Sequence, residues 1–139
     1  MHYIPKHFQP YELVPKATFK RFENSLYRIW WLFDSRMLFT ADAIRERYGK
    51  MIANDWFWGG SNQYRGWRPW DCEVGAELSQ HKFGSALDLI PVETTAEEIR
   101  KDIKKGNGLL FKYITCIEEN VSWLHFDCRN YGGLLIVNP

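Results

Sequence analysis

Two short segments of the chain combine histidines and carboxylates with the period of a β-strand. The first runs SQHKFGSALD from Ser79 to Asp88, and the second runs SWLHFD from Ser122 to Asp127. Side chains two residues apart share one face of a strand. His125 and Asp127 therefore share a face, in a segment whose other positions are mostly apolar. A carboxylate or imidazole in such a strand needs a partner, because burying an unpaired charge is very costly.

The residue types in these segments predict a metal site. His81, Asp88 and His125 make three protein ligands, the number at which a catalytic zinc site keeps a fourth position for water. Spacing alone leaves a second interpretation open, in which each histidine is an ordinary core or surface residue. A two-histidine, one-carboxylate set also suits Fe(II) in oxygenases. Those sites usually begin with HxD and have a second His far downstream, whereas no His follows Asp127.

The pattern SxHxxGxAxD followed by WxHxD resembles a known group of enzymes. It is similar to the zinc D-alanyl-D-alanine carboxypeptidase and L-alanyl-D-glutamate endopeptidase superfamily, whose fold is shared with the Hedgehog signalling domain. Upstream, Gly66-Trp-Arg-Pro resembles the family's turn that carries an arginine. The resemblance covers about residues 34 to 130.

This resemblance implies both a site and a function. It implies His81, Asp88 and His125 as ligands of one Zn²⁺, and Arg68 as a binder of a substrate carboxylate or carbonyl. The implied activity is that of a zinc metallopeptidase, hydrolysing peptide bonds in peptidoglycan stem peptides as a carboxypeptidase or an endolysin-type endopeptidase. The chain is most similar in type to phage-encoded lysis enzymes of this group.

The chain departs from the family at the general base. Relatives carry a Glu three residues before the last ligand or a His two before it, and here these positions hold Ser122 and Trp123. A hairpin that turns at about residues 119–121 would pair Glu118 with Ser122, which favours Glu118 as the base over Glu119. Asp127 is the other candidate, although a position about 7 Å along the strand suits support of a ligand better.

This departure keeps a rival function open. In the rival, the chain is a catalytically silent zinc-binding domain, serving as a structural or wall-binding part of a phage particle.

The elements around these motifs predict an α+β fold, with N-terminal helices packed on a small antiparallel sheet. Residues 1–16 are punctuated by prolines and predict an irregular lead-in to a single domain spanning 1–139. The predicted helices are Thr18–Phe33, Arg36–Tyr48 and Ala96–Lys105, and the predicted strands are Met51–Trp56, Phe83–Ile90, Leu109–Glu118, Ser122–Cys128 and Gly133–Val137.

Residues 57–80 have no period and are rich in Trp and Gly, which is typical of a functional loop. Trp56, Trp58, Trp67 and Trp70 either pack or form the wall of a groove, and Asn62 and Gln63 are available for substrate amides.

Composition narrows the class of partner. A net charge of +1 gives no general attraction to nucleic acid or to an anionic membrane. Three cysteines, an odd number without metal spacing, indicate reduced thiols. We therefore expect a monomer made in the cytoplasm without a signal peptide, released at lysis or carried in a virion, with a peptidoglycan peptide as its substrate.

Overall fold

The computed structural model describes residues 2–106 and 108–139, and it confirms the α+β class. The α-helices are α1 (Pro10–Leu13), α2 (Lys16–Arg21), α3 (Ser35–Tyr48) and α4 (Ala96–Lys105). The strands are β1 (Met51–Ile52), β2 (Ala86–Pro91), β3 (Cys116–Glu118), β4 (Leu124–Asp127) and β5 (Leu135–Val137). Short 3₁₀ helices cover Leu26–Leu32, Trp56–Trp58, Gln80–Phe83 and Gly108–Phe111.

The five strands form one sheet in the order β1-β2-β4-β3-β5. Neighbours from β1 to β3 are antiparallel, whereas β5 lies parallel to β3, so the sheet is mixed rather than purely antiparallel. At the centre, Asp88 of β2 pairs directly with His125 of β4. The two motifs singled out in the sequence therefore lie side by side.

The sheet has one face against the core and one face that carries the polar residues. Leu87 and Leu89 of β2, with Leu124 and Phe126 of β4, are fully buried in the hydrophobic core. The core also takes in apolar side chains of α3 and α4, among them Met37, Leu38, Ile44, Ile99 and Ile103. Alternation along the strands then directs Asp88 and His125 to the opposite face, as predicted.

The predicted helix Thr18–Phe33 is wrong. Helix α2 ends at Arg21, and the chain turns through residues 22–25 before a 3₁₀ helix begins at Leu26. Asn24 and Ser25 favour turns over helix interiors, and the Ser25 N–H donates to the Phe22 carbonyl to close this turn. By contrast, α3 and α4 begin and end within one residue of prediction, with Asp34 and Thr95 as N-caps.

Two predicted strands are shorter than expected. The strand expected over Met51–Trp56 stops at Ile52, because the backbone of Asn54 donates to Glu12 and its side chain to Val14 instead of joining the sheet. The strand expected over Leu109–Glu118 is a 3₁₀ helix and a turn until Cys116.

The predicted strand Phe83–Ile90 also begins late, because residues 80–83 form a 3₁₀ helix that ends at Gly84. Gly84 has a positive φ of 69°, and a Cβ there would stand 1.9 Å from the Leu32 carbonyl oxygen. Its small size therefore serves close packing against the chain at residues 32–33.

The hairpin register between β3 and β4 differs from prediction. Cys116 pairs with Asp127 and Ile117 with Phe126, which sets Glu118 opposite His125 instead of Ser122. In the connection between the two strands, the guanidinium of Arg100 on α4 donates to the carbonyls of Val121 and Trp123. Because these carbonyls bond to Arg100 and not to β3, the connection between β3 and β4 is longer than a tight turn.

None of the helices within residues 2–106 and 108–139 is long and apolar enough to cross a membrane.

Candidate metal centre

The side chains of His81, Asp88 and His125 converge on the polar face of the sheet. One ligand atom from each lies within 4.8 Å of the others, and all three residues are buried. Asp88 bridges the two imidazoles, with Oδ1 2.8 Å from His125 Nδ1 and Oδ2 3.3 Å from His81 Nε2. Three separate elements supply this cluster: the 3₁₀ helix at residues 80–83, β2 and β4.

His81 is oriented by the backbone around it. Its Nδ1 lies 2.7 Å from the Gly66 carbonyl oxygen, which can only accept, so Nδ1 carries a proton and Nε2 is the nitrogen turned toward Asp88. Ser79 caps the 3₁₀ helix by accepting from the His81 N–H. The Arg68 N–H donates to the His81 carbonyl, which ties this helix to the long loop.

His125 is oriented by a carboxylate on the same strand. Its Nε2 lies 2.8 Å from Asp127 Oδ2, and Arg129 donates to both oxygens of Asp127 at 2.6 and 2.7 Å. Asp127 is fully buried and faces the far side of the ring from the cluster. It therefore holds His125 with Nδ1 turned toward Asp88.

The donor set fits a metal ion. Two imidazole nitrogens and a carboxylate, each ring held through its other nitrogen, form the kind of ligand set that transition metals bind in proteins. The three predicted ligands are thus brought together, and the cluster could hold one metal ion.

Arg68 lies beside the cluster, as the sequence predicted, but most of its donors are already used. Its Nε donates to the Tyr64 carbonyl at 2.7 Å, and its Nη1 to the Val74 carbonyl at 3.3 Å. Only Nη2 reaches the cluster, 3.4 Å from Asp88 Oδ2. With 8% of its surface exposed, Arg68 both stiffens the loop and lies at the wall of the site.

Glu118 reaches the cluster from β3. Its Oε1 lies 3.1 Å from His125 Nδ1, the nitrogen that faces Asp88. Glu119, the alternative, turns away and contacts Lys104 of α4. Among the residues predicted to act as a base, Glu118 is therefore the one whose carboxylate shares His125 Nδ1 with Asp88.

The electrostatics of the cluster favour a bound cation. Burial raises the pKa of the Asp88 carboxyl, but hydrogen bonds from His125 and His81 outweigh it and hold this pKa well below its usual range. For His125, burial lowers the pKa, yet the carboxylates of Asp127, Asp88 and Glu118 raise it to about 9. Without a metal, a proton on His125 thus balances the surrounding negative charge.

A cavity of about 550 Å³ opens over the cluster. Val74 and Leu78 from the long loop are exposed at this cavity, opposite Trp123 and Val137. Among the described residues, the Trp123 indole N–H is the buried side-chain donor that lacks a hydrogen-bond partner. The cavity is large enough for part of a peptide and combines apolar walls with a charged base.

No family model, curated protein or solved structure matches this chain. The function therefore has to be argued from the site itself.

Sequence reasoning missed two parts of the site. Arg129 was not identified, although an arginine two residues after Asp127 on the same face is a signal that could have found it. The Gly66 carbonyl was also missed, and no sequence signal points to a backbone acceptor.

The tryptophans of the loop differ in their surroundings. The Trp56 indole donates to the Val14 carbonyl, and the Trp67 backbone donates to Leu13, so both hold the loop to the core. Trp58 and Trp70 are exposed. Asn62 and Gln63 bond within the protein, to Asp55 and Lys16, and do not line the metal cavity.

Proposed function

We propose that this protein is a zinc metallopeptidase that hydrolyses peptide bonds in bacterial peptidoglycan stem peptides. One observation carries the proposal: a buried His81–Asp88–His125 cluster lies at the base of an open cavity with the Glu118 carboxylate beside it. A site that only stabilised the fold would be closed by a fourth protein ligand and would need no cavity.

Zinc is the metal that the resemblance implies for this donor set, which it suits. His81 Nε2, one oxygen of Asp88 and His125 Nδ1 would hold it. When bound, zinc supplies Lewis-acid chemistry, lowering the pKa of a water and polarising the substrate carbonyl.

The chain's own residues then have distinct roles. Glu118 takes the proton from the attacking water and passes it to the departing amine, which is the work of a general base and acid. Arg68 Nη2 faces the cavity and anchors negative charge on the substrate. Asp127, held by Arg129, keeps the His125 ring in place while the proton moves.

The substrate class is supported by the resemblance of the two motifs to the D-alanyl-D-alanine carboxypeptidase and L-alanyl-D-glutamate endopeptidase superfamily. In that setting the protein acts as a phage-type lysis enzyme, released at lysis or carried in a virion.

The test is digestion of purified peptidoglycan from several wall types, with the released peptides identified by mass spectrometry. Glu118→Gln keeps the size of the side chain and removes the base, so cleavage should fall about a hundredfold or more. Glu119→Gln is the matched control, because the neighbouring carboxylate points toward Lys104. Equal cleavage by wild type and Glu118→Gln would exclude Glu118 as the base.

A second candidate function is a zinc-binding domain without activity, used as a structural or wall-binding part of a phage particle. Ser122 and Trp123 favour it, because the family's usual base positions hold no base. Zinc binding with no cleavage of any wall type would make this second function the better one.

A further inference from the structure

A second cavity, of about 580 Å³, shares none of its lining residues with the metal cavity. It lies between α1, the end of α3, β1 and the 3₁₀ helix at Trp56–Trp58. Neither the metal cluster nor the proposed peptidase chemistry uses it.

One wall of this second cavity is aromatic. Trp58 is 61% exposed, yet its ring is held edge-on against Tyr11 at 5.5 Å, and Tyr11 in turn stacks on Phe57 at 3.9 Å. An indole that is fixed in place while much of its surface stays in solvent is ready to pack against a ligand.

The floor of the cavity contains a buried carboxylate with spare accepting capacity. Only 8% of the Glu12 surface is exposed, and its Oε2 accepts from the Gln9 N–H at 2.6 Å. Its Oε1 forms an ion pair with Arg45 Nη1 at 3.8 Å, a separation too long for a hydrogen bond, and that nitrogen donates to the Met51 carbonyl. Within the described part of the chain, Oε1 makes no hydrogen bond, so it is available to a donor from a ligand.

The charged side chains that line this cavity indicate whether its ligand is charged or neutral. Arg45 and Lys50 oppose Glu12 and Asp55 along its lining, so the cavity favours neither an anion nor a cation. Charged side chains and Gln9 together offer donors and acceptors, which hydroxyl groups can match from both sides.

We propose that this second cavity binds a neutral oligosaccharide. The C–H face of a sugar ring packs on Trp58, and a ring hydroxyl donates to Glu12 Oε1. The proposal does not rest on the metal site.

The test is titration of chitotetraose into the full chain with a chelator present, followed by calorimetry and by NMR of the tryptophan indoles. We expect saturable binding that shifts the Trp58 indole signal. Trp58→Ala should weaken binding by at least about tenfold, a factor that corresponds to ~1.4 kcal/mol. Trp31→Ala is the matched control, since Trp31 is also highly exposed, at 71%, but lies outside the cavity.

Several results would overturn the proposal. These are no saturable binding, binding that survives Trp58→Ala, or equal loss in both tryptophan variants. Preference for choline over the saccharide would make the cavity a cation site, and dimerisation lost in Trp58→Ala would make it an interface between copies. Because the chelator prevents any zinc-dependent cleavage, each of these results leaves the proposed peptidase untouched.

Discussion

His81 and His125 present different ring nitrogens to the same small space. His81 uses Nε2 because its Nδ1 is bonded to the Gly66 carbonyl, and His125 uses Nδ1 because its Nε2 is bonded to Asp127. Each imidazole is thus held by the nitrogen that a metal would not use. The residues that orient the ligands are therefore as much part of the site as the ligands themselves.

The first prediction concerns the ligands. Purified protein should hold about one zinc per chain, and His81→Ala or His125→Ala should lose it, because two remaining donors bind zinc far more weakly than three. His7→Ala is the control, since His7 is exposed and bonds Glu46 far from the cluster in sequence. Elemental analysis after dialysis measures the content. Full zinc in both ligand variants would show that the site is misassigned.

The second prediction concerns Arg68. Arg68→Ala leaves the carbonyls of Tyr64 and Val74 without their donor, so the free energy of unfolding should fall by about 2–4 kcal/mol. Zinc should remain bound, while cleavage of peptidoglycan peptides should drop with the loss of the anchor. Urea unfolding and the digestion assay measure the two effects. Arg28→Ala, at an exposed arginine, should change neither; unchanged cleavage in Arg68→Ala would remove Arg68 from the site.

At the scale of elements, pairing between strands assembles the site. β2 and β4 each have an apolar face buried in the core, which fixes their register and sets Asp88 against His125. The Asp88 N–H donates to the Arg65 carbonyl, because β1 pairs only with the far end of β2. The long loop is thereby held beside β2, where it can supply Gly66 and Arg68.

The third prediction concerns Gly84, which has both a left-handed backbone conformation and a close contact with the Leu32 carbonyl. Gly84→Ala should lower the free energy of unfolding by more than the ~1–2 kcal/mol expected for a left-handed conformation, since the new Cβ also meets the Leu32 carbonyl. Gly106→Ala is the matched control: its φ is 70°, but nothing lies within 4 Å of its Cβ. Urea unfolding of both variants measures the difference. Equal losses would mean that the contact with Leu32 relaxes at no cost.

At the scale of the whole molecule, helices α3 and α4 pack on one face of the sheet, and the His81–Asp88–His125 cluster lies on the other face. Loop residues 68–79 and the 3₁₀ helix at residues 80–83, rather than an α-helix, line this face, and a cavity remains over the cluster. A metal at this position would link His81, on the 3₁₀ helix at residues 80–83, to strands β2 and β4. Metal binding and global stability should therefore be linked.

The fourth prediction follows from this linkage. Because zinc binds the folded chain, a chelator should lower the free energy of unfolding, by about 2.7 kcal/mol when free zinc had been a hundredfold above its Kd. For a chain of this size the midpoint of thermal unfolding should fall by roughly 5–10 °C. The difference should shrink toward acid pH, because protons compete with zinc for the imidazole nitrogens. A chelator-insensitive midpoint at neutral pH would contradict a zinc site that spans loop and sheet.

The sequence by itself determined the features that depend on near neighbours along the chain. The period of two in the segments around Asp88 and His125 assigned each strand its buried and polar faces. Caps at Asp34 and Thr95 with stops at Gly49 and Gly106 placed α3 and α4. These patterns are local, because side-chain direction in a strand and capping in a helix involve residues only a few positions apart.

Only the tertiary structure decided the features that depend on distant partners. The position of Glu118 opposite His125 follows from the register of β3 against β4, in which Ile117 pairs with Phe126. The choice of ring nitrogen at His81 depends on the Gly66 carbonyl, fifteen residues away in sequence. Hydrogen bonds between remote segments set register and ring orientation, and no local pattern of residue types encodes which remote group is the partner.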